Sequence, residues 1–144
     1  MYYFLDVDGV LNKESDWKTP FTINQECLKN FVKLMKKDKA PHIVLSSAWR
    51  VGFTNKGEVG HDNKLTKELE IYGLRIEGCT PVSNKTRQEE IEFYIRRNGI
   101  DRYLVLDDDA SLFPAAERLC IYFTNYKTGL TEQDVTQIAK KYLK

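Results

Sequence analysis

Long apolar runs are missing from this 144-residue chain, and so is any imbalance of charge. No stretch approaches the roughly 18 apolar residues that a membrane-spanning helix needs. The apolar opening is short and no basic segment precedes it, which argues against a secretory signal. The 22 basic and 21 acidic side chains nearly cancel, so charge gives no argument for nucleic acid or an anionic membrane as the main partner. We therefore expect a cytoplasmic protein with no membrane partner.

Cysteine is scarce as well. Cys27, Cys79 and Cys120 are odd in number and form no C-x-x-C pair, which argues against a disulfide framework or a zinc knuckle. Hydrophobic residues make up 42% and charged residues 30% of the chain, which is typical of a globular domain. This length suits one domain. We expect residues 1–144 to form it, as a monomer or a weak homodimer.

Short apolar runs alternate with segments of helical periodicity. The apolar runs predict strands at residues 2–7, 43–45, 74–76, 103–106 and 119–123. The helical spacing predicts helices at residues 24–38, 62–72 and 86–98 and from Thr131 onward. A glycine-containing loop is expected over residues 50–64. This alternation predicts an α/β fold with a mostly parallel sheet that is covered on both faces.

Three local signals predict where the helices begin and end. Thr22 with Gln25 predicts a capping box for the first helix. Gly73 is expected to end the second helix, and Thr131 with Asp134 three residues on marks the start of the last one.

Side chains able to do chemistry follow three of the predicted strands. They are, strand by strand, Asp6 and Asp8, Ser46 and Ser47, and Asp107, Asp108 and Asp109. Ligand sites in such sheets lie beyond the carboxyl ends of the strands, so these side chains are expected to converge. Clustered carboxylates raise one another's pKa, and a divalent cation with oxygen ligands removes that conflict. The cluster therefore predicts a magnesium site that meets a phosphate.

Asp6 and Asp8 are two residues apart, so in an extended strand both point to the same side. Gly9 then lets the chain turn away, and the two carboxylates can take different roles. One can attack phosphorus and form an aspartyl-phosphate. The other can protonate the leaving oxygen and later deprotonate water.

The run from Asp6 to Asn12, DVDGVLN, resembles the first motif of the haloacid dehalogenase-like (HAD) phosphohydrolase superfamily. Residues 43–47 resemble its second motif and residues 103–108 its fourth. Three shorter runs are similar to the small HAD branch linked to Swiss Army Knife RNA-repair proteins: SAWR at 47–50, G-x-T-P at 78–81 and R-x-x-E-I at 87–91. The resemblance spans residues 2 to about 135. It implies a three-layer, Rossmann-like HAD domain.

The resemblance implies roles for the acidic residues. Asp6 corresponds to the nucleophile and a Mg²⁺ ligand. Asp8 corresponds to the general acid and base, and its backbone carbonyl also reaches the metal. Asp107 and Asp108 correspond to the acids that bind Mg²⁺, and Asp109 is expected to support them indirectly or to cap a short helix.

The resemblance also implies residues that hold the phosphate. Ser47 corresponds to the phosphate-binding hydroxyl, with Ser46 as the alternative. Arg87 corresponds to the basic residue of the third motif, with Lys85 as the alternative. Further substrate contacts are expected at Gly9, Ala48 and Arg50. The guanidinium of Arg50 suits phosphate oxygens, and a surface ion pair is the other interpretation of this residue.

The segments between the motifs are too short for a full cap domain, so the resemblance implies an open site. Capless members of the superfamily typically act on macromolecular ends or side chains. A Mg²⁺-dependent phosphatase acting on a nucleic-acid end is one hypothesis for the function. A nucleotide or small-metabolite phosphatase and a non-catalytic phosphate- or protein-binding module are the alternatives.

Overall fold

Strands and helices alternate along the chain in a computed structural model that describes residues 1–53 and 63–143. The strands are Tyr2–Leu5 (β1), His42–Leu45 (β2), Ile76–Cys79 (β3), Tyr103–Asp107 (β4) and Ile121–Phe123 (β5). The α-helices in these residues are Gln25–Lys36 (α1), Asn63–Glu70 (α2), Arg87–Asn98 (α3) and Glu132–Tyr142 (α4). Most of the loop predicted over residues 50–64 lies outside the described residues.

The strands form one sheet in the order β3-β2-β1-β4-β5, and every strand pair is parallel. Parallel neighbours need crossover connections, which the intervening helices supply. The predicted α/β, Rossmann-like fold with helices on both faces is therefore confirmed, and the described residues form no cap domain.

Helices cover the two faces of the sheet unequally. On one face, side chains such as Leu5, Leu45 and Leu106 pack in a core with residues of α1, α2 and α4. On the other face, Phe4 and Val44 pack in a smaller core with α3. Strands that are buried on both faces have nearly continuous apolar sequences, which explains why they were visible in the sequence.

The start of α1 differs from the prediction. Asn24 caps it, since the Asn24 side chain accepts hydrogen bonds from the backbone amides of Glu26 and Cys27. The hydroxyl of Thr22 instead donates to the Thr19 carbonyl, 2.7 Å away. The capping box predicted for Thr22 with Gln25 is therefore wrong, because an asparagine nearer the helix satisfies its free amides.

β3 also differs, since it begins later than the predicted strand at residues 74–76. Gly73, at φ +74°, ends α2 as expected, and the amide of Leu74 still donates to the Leu69 carbonyl in this helix end. The strand can begin only after that turn.

No helix among the described residues is long and apolar enough to cross a membrane.

Candidate active site

Four polar side chains stand side by side at the carboxyl edge of the sheet. Leu5 of β1 pairs with Leu45 of β2 and Leu106 of β4, and Leu45 pairs with Cys79 of β3. The next residue on each strand is polar; across the sheet these residues are Thr80, Ser46, Asp6 and Asp107. Their exposed fractions lie between 0% and 4%. We call these four residues the polar row.

The polar row faces α3. Successive residues of a strand point to opposite faces, so Asp6 and Ser46 share a face with Phe4 and Val44. Phe4 and Val44 pack against Ile91 of α3. The row therefore lies beneath the first turn of that helix.

Arg87, the first residue of α3, reaches down to the polar row. Its Nη1 lies 3.2 Å from Asp6 Oδ1 and 3.0 Å from Asp107 Oδ2. Burial opposes the charge on Arg87, but Asp6 and Asp107 outweigh it and raise the pKa of the guanidinium. Thr86 holds the start of the helix through a capping box with Glu89. Arg87 is therefore a permanent cation between two carboxylates.

Lys85, the alternative to Arg87, is exposed and lies near Glu89. Of the two basic residues named by the sequence, Arg87 is the one that contacts Asp6.

Three carboxylates cluster at this edge. Asp6, Asp107 and Asp108 each offer an oxygen, and these oxygens lie within 4.8 Å of one another. Burial and the charge of Asp107 raise the pKa of Asp6 well above its usual range, although Arg87 opposes this. Burial raises the pKa of Asp108 as well, and the charge of Asp107 adds to it. A group of carboxylates with one nearby cation fits a hard divalent metal ion, which removes the repulsion.

Asp8 lies in the turn after β1, apart from the polar row, and it is exposed. Asn12 Nδ2 donates to its Oδ1 at 2.9 Å, and Trp49 Nε1 donates to its Oδ2 at 3.4 Å. Gly9 makes this turn at φ +85°, and a Cβ there would lie 2.2 Å from Asp108 Oδ2. Only glycine fits between Asp8 and the carboxylate cluster.

Asn12 holds this turn together, a role that the sequence did not reveal. Its Oδ1 accepts from the amide of Gly9 and from Trp17 Nε1, both at 2.9 Å. Its Nδ2 donates to Asp8 and to the Thr22 carbonyl at 2.8 Å. The one sequence signal is its position four residues after Asp8, at the end of the first motif.

The two serines after β2 differ in their hydrogen bonds. Ser47 Oγ accepts from the amide of Trp49 at 3.1 Å and so caps a short 3₁₀ helix, Ala48–Arg50. Ser46 Oγ is buried and has no hydrogen-bond partner among the described residues. Thr80 Oγ1, its neighbour in the polar row, is also buried without a hydrogen-bond partner in this part of the chain. The sequence suggested no role for Thr80. Buried hydroxyls without partners are rare in native structures and call for an explanation.

Arg50 is buried and anchors the loops beside the site. Its Nη2 lies 2.9 Å from Oε1 of Glu90 on α3, in a pair of which both side chains are buried. Its other hydrogen bonds go to the carbonyls of Ser46, Ser47, Thr80 and Pro81. The predicted contact of Arg50 with substrate stays a prediction, as do those of Gly9 and Ala48.

Asp109 caps the 3₁₀ helix Ala110–Leu112, since its side chain accepts from the amide of Ser111. Its own amide donates to Asp107 Oδ1 at 3.0 Å. Asp109 therefore caps a short helix, as one of its two predicted roles required, and its amide also contacts Asp107.

The chain matches the family described as the HAD domain in Swiss Army Knife RNA repair proteins over residues 2–135. No curated protein and no solved structure matches it.

Proposed function

The chain belongs to the family of HAD domains in Swiss Army Knife RNA repair proteins, and from this premise we propose that it is a Mg²⁺-dependent phosphatase that forms an aspartyl-phosphate on Asp6. The observation that carries the proposal is the polar row beneath Arg87. The row has two buried carboxylates, both in contact with the Arg87 guanidinium, and two hydroxyls without partners in the described chain.

Asp6 is the proposed nucleophile. One of its oxygens attacks phosphorus, and the bond between phosphorus and the ester oxygen breaks as the aspartyl-phosphate forms. A nucleophilic carboxylate must be ionised, and Arg87 is the neighbouring side chain that favours this form.

Arg87, Ser46 and Thr80 supply the proposed contacts to the other phosphate oxygens. A guanidinium and hydroxyls are suitable donors to an anionic phosphoryl group, and they are preorganised because they are buried. Ser46 is preferred to Ser47, because its buried oxygen has no partner among the described residues, whereas the Ser47 oxygen is already held in the cap of the 3₁₀ helix.

Asp8 is the proposed general acid and base. It gives a proton to the leaving oxygen in the first step. In the second step it removes a proton from the water that attacks phosphorus, and the bond to Asp6 breaks and frees the carboxylate and inorganic phosphate. Asn12 and Trp49 orient Asp8 for both transfers.

Asp6, Asp107 and Asp108 would hold the Mg²⁺ ion, together with the backbone carbonyl of Asp8. The ion supplies electrostatic stabilisation of the charge on the phosphoryl oxygens. The repulsion among the three carboxylates supports such a role, because a cation offsets it.

A phosphorylated nucleic-acid end is the proposed substrate, since the family is described from RNA repair proteins and the described residues form no cap. A free nucleotide or a small phosphorylated metabolite is the alternative.

The test is phosphate release from phosphorylated oligonucleotides, nucleotides and metabolites, with Mg²⁺ and with EDTA. We expect Mg²⁺-dependent release by the wild type. Asp6→Asn should reduce it at least about a thousandfold, because the amide cannot form the covalent intermediate.

Asp101→Asn is the matched control. Asp101 is exposed and precedes β4, at the opposite edge of the sheet, so this variant should keep full activity. Residual activity above a few per cent in Asp6→Asn would exclude Asp6 as the nucleophile. Binding of Mg²⁺ and phosphate without turnover of any substrate would favour the non-catalytic module.

A further inference from the structure

A cavity of about 510 Å³ opens beside Asp8, and none of its described lining residues belongs to α3. Its largest lining side chains are the aromatic rings of Trp17, Phe21 and Trp49. Asp8 is the one ionisable residue that lines it within the described chain. The cavity thus combines one carboxylate with apolar, flat walls.

Hydrogen bonds and ring packing around Asp8 hold the three rings in place. Trp49 Nε1 donates to Asp8, and Trp17 Nε1 donates to Asn12. The ring of Phe21 packs edge-on against Trp49, with centroids 5.1 Å apart and planes at 72°. Aromatic walls that are fixed before a ligand arrives cost little entropy on binding.

Two of these rings are exposed to solvent. Trp17 is 42% exposed and Phe21 is 39% exposed. Phe21 also has φ +57°, and among the described residues it is the one non-glycine residue with positive φ. Such a conformation is unfavourable for a bulky side chain and tends to persist at binding sites. Together, these features mark the cavity as a binding surface.

We propose that this cavity binds the terminal base of a phosphorylated polynucleotide whose phosphate occupies the polar row. The inference rests on the proposed function, because Asp8 must face the leaving oxygen and the leaving group must then lie on the Asp8 side.

The walls suit a base better than a sugar or an acidic metabolite. A carboxylate or second phosphate would meet Asp8 and no cation among the described lining residues. A polyhydroxylated group would find few free partners, since Asn12 and Thr22 already donate to Asp8 and to backbone carbonyls. A base needs only flat faces for stacking.

The aromatic surface continues beyond the cavity, which favours a strand over a free nucleotide. Tyr126 stacks on Trp17, with centroids 6.0 Å apart and planes at 24°. Lys127 Nζ lies 6.0 Å from the centre of the Tyr126 ring. The ring of Tyr126 offers a second stacking position, and Lys127 offers a cation for the next phosphate of a strand.

Binding can be measured without turnover. Trp17 and Trp49 are the two tryptophans of the chain, and both line the cavity. In Asp6→Asn with Mg²⁺, we expect phosphorylated tetrauridylate to quench tryptophan fluorescence. Uridine monophosphate should bind more weakly, and glycerol phosphate should cause no quenching.

Kinetics provide the second arm. Phe21→Ala should lower kcat/KM for the tetranucleotide by about 5- to 150-fold, the range for loss of one base–aromatic stack. Turnover of glycerol phosphate, which has no base, should fall by much less. Phe93→Ala is the matched control, because Phe93 is an exposed ring on α3, outside the cavity.

The two arms separate this inference from the proposed function. Quenching by the tetranucleotide without turnover in the wild type would contradict the phosphatase and leave base binding in place. Turnover without quenching, and with unchanged kinetics in Phe21→Ala, would overturn base binding alone. An equal loss for glycerol phosphate would also overturn it, because Phe21 would then act by supporting Trp49 and Asp8. Stronger quenching by the mononucleotide would overturn the assignment to a strand.

Discussion

The hydroxyls of Ser46 and Ser47 allow a direct test of the proposed phosphate site at the scale of single residues. Ser46→Ala should lower kcat/KM by about 10- to 150-fold, the cost of one hydrogen bond to a charged group. Ser47→Ala should change kcat/KM only a few-fold and instead destabilise the fold by about 1 kcal/mol, because it removes a cap. Steady-state kinetics and urea unfolding measure the two effects.

Stability provides the internal control for Ser46. Its hydroxyl has no partner in the described residues, so its loss should not destabilise the folded protein. Thr80→Val, which removes the neighbouring hydroxyl and keeps the shape, should behave in the same way. If Ser47→Ala were the variant that lost activity while Ser46→Ala kept it, the assignment would be reversed.

Single residues were predictable from the sequence where one motif contained the whole signal. Asp6, Asp107 and Asp108 directly follow or end apolar runs, and the structure clusters them as expected. Asn12 and Thr80 were not predicted to have a function. Their roles depend on contacts with distant strands and turns, and neither residue type indicates chemistry by itself.

At the scale of elements, α3 carries Arg87 and is fixed by the buried pair of Arg50 and Glu90. Arg50→Met should destabilise the protein by about 3–5 kcal/mol, because Glu90 would remain buried without its partner. Arg118→Met removes the same type of side chain from a pair with Glu92 in which Arg118 is exposed, and should cost at most about 1 kcal/mol. Urea unfolding of both variants measures the difference.

The same pair links stability to activity. Since Glu90 lies three residues after Arg87 on α3, we expect Arg50→Met to reduce the proposed phosphatase activity under conditions in which the variant is still folded. Equal stability losses in the two methionine variants would show that the pair does not anchor the helix.

Elements were predictable where local signals agreed with the tertiary structure. The last helix begins after Thr131 as predicted, and Thr131 forms a capping box there with Asp134. β3 was misplaced because its sequence, IEGC, has no clear strand pattern. Gly78 leaves room for the hydroxyl of Tyr94, which would lie 2.8 Å from a Cβ at this position. That packing is a property of the sheet and helix together.

At the scale of the whole molecule, the fold brings three carboxylates to one edge from β1 and from the end of β4. The repulsion among them is a cost that folding must overcome, and it exists because residues separated by about 100 positions meet there. The sequence predicted the convergence, since parallel strands share an edge. It could not show that Arg87 alone is the cation in contact with Asp6 and Asp107 within the described chain.

Removal of one carboxylate from this cluster should therefore have opposite effects on the stability of the folded protein with and without metal. In EDTA, Asp108→Asn should be at least as stable as the wild type, because it relieves repulsion at Asp6. Mg²⁺ at roughly a hundredfold above its Kd should raise the Tm of the wild type by about 5–10 °C. The shift should be much smaller in Asp108→Asn and unchanged in Asp101→Asn. Thermal unfolding followed by circular dichroism measures it, and equal Mg²⁺ shifts in all three proteins would place the ion elsewhere.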